Sequence, residues 1–449
     1  MSAAESLAAI AARVVEHAGV GEQVEAYVSR GRSTSVRAYN GDIEAFTQAG
    51  SAGIGVRVVA NGRQGFASAG SLAPDVIATL LDEARDNSRF AQPDDANGLV
   101  APDGVEAPAL DFWRDDVGAR DADWKIAQAM ALEARVRGAD PRIVGVRSAV
   151  YADSFSERAI ASTAGIATYA RGTFASLGVS ALAKDDSGTT SGAGSTFGWS
   201  THDLDAERAA NDAVRRATEL LGARKPDTGR ITIVLEPRLA ATLLGLVAGL
   251  FSGAAVLKGR SLFAGRVGHR VASPLLHLIE DPTDDRSFGA DTHDGEGLAC
   301  RPVSLLEAGV LQGYLHNAYT ARRSGTVSTA SAARGARSTP GVGAAALRAA
   351  PGHGTLAELI ATVDRGLLVT SMSGLHSGVN MVSGDFSVGV EGLVIRKGVC
   401  AEPIREATLG STLLRLLTGI SAVGADLEWQ PSGTGAVTLV IDDVTLSGN

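Results

Sequence analysis

The first half of the chain alternates between β-rich runs and segments with helical spacing of apolar residues. Five runs separated by Gly, Asn and Ser predict short strands, at Val24–Ser29, Ser33–Tyr39, Ile43–Gln48, Ala52–Val59 and Gly65–Ala69. Asn40-Gly41 predicts a tight hairpin turn, because both residues tolerate positive φ. Apolar residues recur at helical spacing in Ala73–Ser88, Ala122–Arg137 and Asp205–Leu221. This pattern predicts an α+β fold.

A hydrophilic segment, Lys225–Gly229, predicts a boundary between domains 1–227 and 228–449. Beyond it, Ile231–Leu235 is a continuous apolar run typical of a buried strand, and Leu239–Phe251 predicts a buried helix. Many short β-rich runs with turn signals follow. We therefore expect an N-terminal α+β domain and a mostly antiparallel β C-terminal domain with one buried helix.

The segment Thr320–Gly354 is rich in Gly, Ala, Ser and Arg and has little periodicity. Such a long irregular stretch inside a domain is usually functional or mobile. The composition of its Ser324–Gly354 part permits ordering only on assembly.

Composition and charge restrict the classes of function. The net charge is −9, with 41 Lys and Arg against 50 Asp and Glu, so we expect no nucleic-acid partner. Met1–Val20 lacks the basic start and apolar core of a signal peptide and predicts an amphipathic helix. The most apolar stretch, Leu239–Leu257, is interrupted by Gly and Ser and predicts no membrane span. The two cysteines form no CxxC pair, which favours a reducing compartment and a cytoplasmic protein.

No local motif for hydrolysis is present. None of the eight histidines lies three to five residues from another, which excludes a two-histidine zinc helix. The two serine-containing segments Gly192–Ser195 and Ser371–Gly374 do not complete the G-x-S-x-G pattern of serine hydrolases. Cys300 and Cys400 have no predicted base beside them, so buried or incidental cysteine is the favoured interpretation.

The densest polar cluster is Asp291–Gly297, followed some twenty residues later by Tyr314–Tyr319. Carboxylates on a glycine-containing loop could bind a hard cation, although the EF-hand register is incomplete. The two segments together could also bind a peptide. An ordinary turn with hydrogen-bonded carboxylates explains the same pattern.

The segment Ser383–Gly392, SGDFSVGVEG, resembles the SGDFSxGxxG segment of the TldE/PmbA proteins. Further segments resemble that family in sequence and order, so the resemblance covers nearly the whole chain: Val28–Thr34, Gly55–Val58, Leu257–Leu262, Asp294–Gly297, Gly309–Leu315 and Tyr319–Arg323. The chain is thus identified as a member of the TldD/TldE family, on the TldE/PmbA side.

The resemblance implies an N-terminal α+β domain and a C-terminal domain of antiparallel sheets. In TldD relatives, the helix that opens the second domain carries HExxxH, and a cysteine near the C-terminus completes a metal site that hydrolyses peptides. The matching helix here, Leu239–Phe251, has no histidine, and Pro431–Ala436 has no cysteine.

This departure implies a non-catalytic subunit of a metalloprotease complex that acts on small, unfolded or precursor peptides. We expect no catalytic, cofactor or metal residue in this chain, and zinc in a TldD-like partner subunit. The candidate substrate or interface residues are Asp294, Glu296, His316, Tyr319, Asp385 and Phe386.

Two other functions remain open. One is a regulatory or binding protein of the DNA gyrase modulator type, a label that PmbA proteins also carry. The net charge of −9 of this chain argues against direct contact with DNA but allows contact with gyrase itself. The other is a self-sufficient hydrolase or homodimer with an unrecognised site around Asp294, Glu296, His316 and Tyr319.

Overall fold

The computed structural model describes residues 6–448, so the Met1–Glu5 part of the predicted first helix and residue Asn449 lie outside the described residues. The first part of the chain forms a six-stranded antiparallel sheet in the order β3-β2-β1-β4-β5-β6. Its strands are β1 (Gln23–Tyr39), β2 (Asp42–Ala60), β3 (Arg63–Ala69), β4 (Ile143–Ser162), β5 (Ala167–Asp185) and β6 (Gly188–Gly198). Its helices are α1 (Leu7–Glu16), α2 (Pro74–Phe90), α3 (Asp115–Ala119), α4 (Ala122–Arg137) and α5 (Ala206–Thr218), with a 3-10 turn at Thr201–Asp203.

Side-chain caps fix the starts of the helices in this part. Ser6, Asp121 and Asp205 each accept a backbone N–H of the first turn of α1, α4 and α5 respectively. The helices pack against the sheet through two apolar clusters. One joins α1 and α2 to one end of the sheet, and the other joins α4 and α5 to the opposite end. Both clusters lie on the face that carries Val24, Val28 and Val36 of β1, so the other face is free to meet the C-terminal part.

The C-terminal part contains two six-stranded sheets, in the orders β10-β9-β8-β13-β19-β18 and β16-β15-β14-β7-β20-β17. The strands of the first are β8 (Leu278–Glu280), β9 (Val303–Glu307), β10 (Val310–Leu311), β13 (Leu347–Ala349), β18 (Glu428–Trp429) and β19 (Gly435–Ala436). Those of the second are β7 (Gly229–Leu235), β14 (Arg365–Ser373), β15 (Asp385–Arg396), β16 (Val399–Thr412), β17 (Ile420–Val423) and β20 (Leu439–Ser447). A two-stranded ribbon pairs β11 (Ala332–Ala333) with β12 (Gly341–Val342).

The helices of this part are α6 (Pro237–Ala248), α7 (Gly253–Leu257), α8 (Ala318–Arg323), α9 (Leu356–Ala361), α10 (Leu375–Gly378) and α11 (Leu413–Thr418), with a 3-10 turn at Gly249–Phe251. Helix α6 contacts strands of both sheets. It buries Leu239, Leu243, Leu244 and Val247 in the largest apolar core of the protein, to which both sheets contribute.

The α+β fold class is confirmed, and α6 with its 3-10 turn covers the predicted buried helix. The C-terminal part also contains five short helices, and two of its strand pairings, β7 with β14 and β13 with β19, are parallel. Gly65–Ala69 lies within the short strand β3, as predicted, but the prediction of four further short N-terminal strands was wrong. Ile43–Gln48 and Ala52–Val59 both lie in β2. Val24–Ser29 and Ser33–Tyr39 form one strand, because Gly31 between them keeps its pairing with both β2 and β4.

The segment Thr320–Gly354 is not wholly irregular, since α8, the ribbon and β13 use parts of it. The boundary at 227/228 stays a prediction.

Candidate functional site

Four charged side chains form a buried ionic cluster between the N-terminal sheet and the C-terminal part. Glu25 on β1 accepts two hydrogen bonds from Arg57 on β2, at 3.2 Å from Nε and 2.9 Å from Nη2. Arg334, at the C-terminal end of the ribbon strand β11, donates to the same carboxylate. Arg57 also lies 3.5 Å from Glu296 in the C-terminal part. None of the four side chains is more than 4% exposed.

The two carboxyl groups of this cluster are in different electrostatic environments. Burial raises the pKa of Glu25, but Arg57 and Arg334 outweigh it and hold that pKa below its usual range. Burial also raises the pKa of Glu296, and Arg57 alone does not cancel the effect. The tighter contact with two guanidinium groups therefore makes Glu25 the firmly ionised member.

Asp294 and Glu296 stabilise the backbone around them. Oδ1 of Asp294 accepts the N–H groups of Glu296 (2.9 Å) and Leu298 (3.0 Å), and Oδ2 accepts that of Ala332 (2.9 Å). Oε2 of Glu296 accepts the N–H of Ala318, 2.8 Å away in the first turn of α8. Burial raises the pKa of Asp294 to about 6. These contacts favour the turn interpretation over a cation site.

His316 and Tyr319 flank the start of α8 in different environments. His316 is buried, with Nδ1 3.2 Å from Oγ1 of Thr320, and burial lowers its pKa. Gly253 opposite it must lack a side chain, since a Cβ there would lie 2.4 Å from that Nδ1. Tyr319 is exposed and donates from its hydroxyl to Asp94 at 2.9 Å.

Asp385 and Phe386 open β15 and share no hydrogen bond or ion pair with the other four candidates in the described part of the chain. Asp385 is exposed and accepts the hydroxyl of Ser383 at 2.6 Å. Phe386 is 4% exposed and packs in the core with α6. Its ring therefore offers little surface to a substrate or partner. The roles of all six candidates stay predictions.

A groove runs between the free face of the N-terminal sheet and the loop that includes Phe288 and Asp291. We call it the outer groove; it has a volume of about 560 Å³. Its wall carries the aromatic stack of Phe112, Trp199 and Phe288, with ring centroids 4.4 and 5.0 Å apart. The sequence did not indicate this groove.

A smaller cavity of about 210 Å³, the inner cavity, shares Tyr27, Arg158 and Asp291 with the outer groove. Its other lining residues include Glu280, Asp294, Cys300 and Arg334. Burial, reinforced by the nearby Asp291 and Asp294, raises the pKa of the Cys300 thiol. A reactive cysteine requires the opposite shift.

The two segments where the resemblance puts a metal site, α6 and Pro431–Ala436, contain no His, Cys, Asp or Glu in this chain. Helix α6 lies beside the segment that includes Thr434, since a Cβ on Gly245 would be 3.9 Å from Oγ1 of Thr434. The neighbouring buried residues of α6 are leucines, alanines and valine. Within residues 6–448, no three His, Cys, Asp or Glu side chains are grouped closely enough to hold a metal ion. These residues do not fit zinc, which binds imidazole, thiolate or carboxylate ligands.

No helix in the described chain combines the length and apolar character needed to cross a membrane.

Comparisons with known proteins cover the chain along its length. The metalloprotease PmbA of Escherichia coli O157:H7 is 25% identical over 413 residues, which are 91% of this chain and 89% of that protein. A metalloprotease TldD homologue of Haemophilus influenzae is 27% identical, covering 88% of this chain and 86% of its own length.

Two solved structures share the fold. A proposed modulator of DNA gyrase from Thermotoga maritima superposes with a TM-score of 0.90 at 24% identity, covering 98% of this chain and 99% of its own. TldE from Thermococcus kodakarensis superposes with a TM-score of 0.85 at 20% identity, covering 95% of this chain and 97% of its own. Models of the PmbA/TldA metallopeptidase match in three pieces, as domain 1 (24–88), the central domain (115–221) and the C-terminal domain (228–448). The chain belongs to the PmbA/TldD family of metallopeptidases.

Proposed function

We propose that this chain is the non-catalytic, TldE-like subunit of a TldD/TldE-type peptidase complex, in which a TldD-like partner holds the zinc ion and hydrolyses small, unfolded or precursor peptides. The observation that carries the proposal is that neither α6 nor the segment Pro431–Ala436, where the resemblance places the ligands of TldD relatives, contains a His, Cys, Asp or Glu side chain. Membership in a metallopeptidase family and the likeness to the Thermococcus TldE fold support it.

A second subunit has a physical role in such an enzyme. Zinc-dependent hydrolysis proceeds best in an enclosed site from which bulk water is excluded, and an extended substrate needs a wall along its length. The outer groove, with its aromatic stack and about 560 Å³ of volume, supplies a concave surface of that kind. We place the complex in the cytoplasm, consistent with the two free cysteines.

The competing function is hydrolysis by the isolated chain. The structure gives it little support, because three of the four carboxylate oxygens of Asp294 and Glu296 accept backbone N–H groups, and Nδ1 of the buried His316 lies 3.2 Å from Oγ1 of Thr320. A general base needs a lone pair directed at substrate or water.

The test uses this chain, a TldD-like chain from the same organism, and the two coexpressed with a tag on one. We expect co-purification, zinc only when the partner is present, and hydrolysis of an unstructured peptide that exceeds the rate of either chain alone. A partner whose HExxxH glutamate is changed to glutamine is the matched control and should assemble without activity. Stoichiometric zinc or turnover in the isolated chain would refute the proposal.

A further inference from the structure

The inner cavity contains a buried carboxyl group with an unused oxygen. Glu280 is 2% exposed, and its Oε1 accepts the backbone N–H groups of Ala345 (2.6 Å) and Ala346 (2.9 Å). Its Oε2 has no hydrogen-bond partner in the described chain. Buried polar atoms are nearly always paired, so an orphan acceptor in a cavity wall indicates a ligand or water there.

The same cavity contains a buried cation with unused donors. The side chain of Arg334 is 0% exposed, and its Nη1 donates to Glu25. Its guanidinium carbon lies 5.0 Å from the ring centroid of Tyr27, a cation–π contact. Nε and Nη2 have no partner among the described residues. Among the described residues, Glu280 and Arg334 form no ion pair with each other. Oε2 of Glu280 and Nε and Nη2 of Arg334 are therefore available to a bound molecule.

Two orphan groups of opposite polarity restrict the chemistry of an occupant. The acceptor suits an ammonium group, and the two N–H donors of a guanidinium suit a carboxylate. At about 210 Å³ the cavity is smaller than the roughly 300–1,000 Å³ typical of sites for drug-sized ligands, which favours a small molecule. The cavity adjoins the outer groove, and Tyr27, Arg158 and Asp291 line both.

We propose that the inner cavity binds a small zwitterion, a free α-amino acid or a dipeptide, with Glu280 accepting from the ammonium group and Arg334 donating to the carboxylate. The source of such a ligand rests on the proposed function, since amino acids and dipeptides are products of peptide hydrolysis. The site itself belongs to this chain and does not depend on the partner subunit.

The first test is calorimetric titration of the purified full chain, alone, with L-alanine and with Ala-Ala. N-acetylalanine lacks the ammonium group and alaninamide lacks the carboxylate. We expect alanine or Ala-Ala to bind and each blocked analogue to bind at least about tenfold more weakly. Whichever of L-alanine and Ala-Ala binds more tightly shows whether the cavity takes a free amino acid or a dipeptide. No binding up to about 10 mM would mean that water alone fills the cavity, and equal binding of the blocked analogues would place the site elsewhere; either result overturns the proposal.

The second test locates the ligand. Glu280→Gln keeps the shape of the side chain but removes its charge, and Asp285→Asn on the exposed part of the following loop is the matched control. We expect the first variant to lose at least about tenfold in affinity and the second to bind as the parent does, with circular dichroism showing that both fold. Unchanged affinity in Glu280→Gln would overturn the proposal.

Proton release is a third readout. Burial raises the pKa of Glu280 to about 7, so an ammonium ligand that favours the ionised form should displace a proton near neutral pH. Titration in buffers of different ionisation heat measures this release, which water in the cavity would not cause. Because every measurement uses the isolated chain, failure here leaves the coexpression result, and thus the proposed function, unaffected.

Discussion

Replacing Glu25 with glutamine should strongly destabilise the protein, because it unbalances a buried group of charges. The ionic cluster contains two carboxyl groups, Glu25 and Glu296, and two guanidinium groups, Arg57 and Arg334, so its formal net charge is zero. The variant leaves both arginines buried with only one carboxylate, which touches only Arg57 and at 3.5 Å. Removing one partner of a buried pair typically costs about 3–5 kcal/mol. We expect a loss of that size in the free energy of unfolding.

The matched control is Glu157→Gln on the neighbouring strand β4. Glu157 makes an ion pair with Arg30 at 2.8 Å, but the two side chains are 25% and 45% exposed. Exposed pairs contribute up to about 1 kcal/mol. Both variants replace a glutamate with glutamine in the same sheet, so a difference in their free energies of unfolding reports the effect of burial and not that of the substitution itself.

Urea unfolding followed by tryptophan fluorescence measures both variants. Trp113 and Trp124 report on the N-terminal part, Trp199 on its contact with Phe288, and Trp429 on the C-terminal part, so the experiment also shows whether the two parts unfold together. With a slope of about 3 kcal/mol/M, a loss of 3–5 kcal/mol lowers the midpoint by about 1 M or more. Equal midpoints for Glu25→Gln and Glu157→Gln would refute the argument that this cluster is buried and depends on its charge balance.

Three further predictions concern single side chains. Glu280→Gln should remove a pH dependence of the free energy of unfolding. The pKa of Glu280 in the folded state is about 7, above the ordinary 4.5. The carboxyl group therefore contributes stability that is complete below pH 4.5 and is lost as pH rises to 7. At pH 8 the variant should therefore gain up to about 3 kcal/mol over the parent, measured by urea unfolding, and little at pH 4.5. Leu244→Ala should cost about 2–5 kcal/mol because this α6 residue is fully buried, whereas Leu257→Ala, at 43% exposure, should change thermal stability by less than about 0.5 kcal/mol. Tyr319→Phe removes the hydroxyl bonded to Asp94 at a 38% exposed residue, and we expect less than about 1.5 kcal/mol by the same assay; a larger loss would show a structural role that the contacts do not contain.

Local signals in the sequence predicted the local structure well. Helix α4 has the predicted bounds, Ala122–Arg137, because its apolar spacing and the Asp121 cap act within a few residues. The hairpin at Asn40-Gly41 is confirmed, with φ of 56° and 80°. Strand length was underestimated, because Gly and Ser inside β1 and β2 predict breaks, although the neighbouring strands continue the ladder across them.

The ionic cluster could not be predicted from local patterns. Glu25 and Arg334 are 309 positions apart, and no periodicity reports a contact at that distance. A weaker signal was present: Glu25 and Arg57 each interrupt an apolar run of a strand, at Val24-Glu25-Ala26 and Val56-Arg57-Val58. A charge at such a position usually faces a partner. The sequence did indicate Asp294 and Glu296, either as ligands or contacts of a substrate or as hydrogen-bonded carboxylates of an ordinary turn, and their bonds to backbone N–H groups fit the turn.

The contact between the two parts of the chain combines apolar and directional interactions. Its apolar contacts include a small cluster, with Tyr27, Ile160 and Ile166 from one part and Ala336 from the other, and the rings of Phe174, Phe197 and Trp199 around Phe288. Buried ion pairs add little net stability, but they are strongly directional, so the cluster fixes how the N-terminal sheet meets the C-terminal part.

Arg334 belongs both to this contact and to the wall of the inner cavity. An occupant held by Arg334 and Glu280 would stabilise the folded state, by roughly 2.7 kcal/mol at a concentration one hundred times its dissociation constant. By the same linkage, Glu25→Gln should weaken binding in the cavity, because it releases the guanidinium that the ligand needs in place. Calorimetry with the best-binding zwitterion should show lower affinity in Glu25→Gln than in Glu157→Gln. Equal affinities would mean that Arg334 keeps its position without Glu25, and that the contact between the two parts and the cavity are independent.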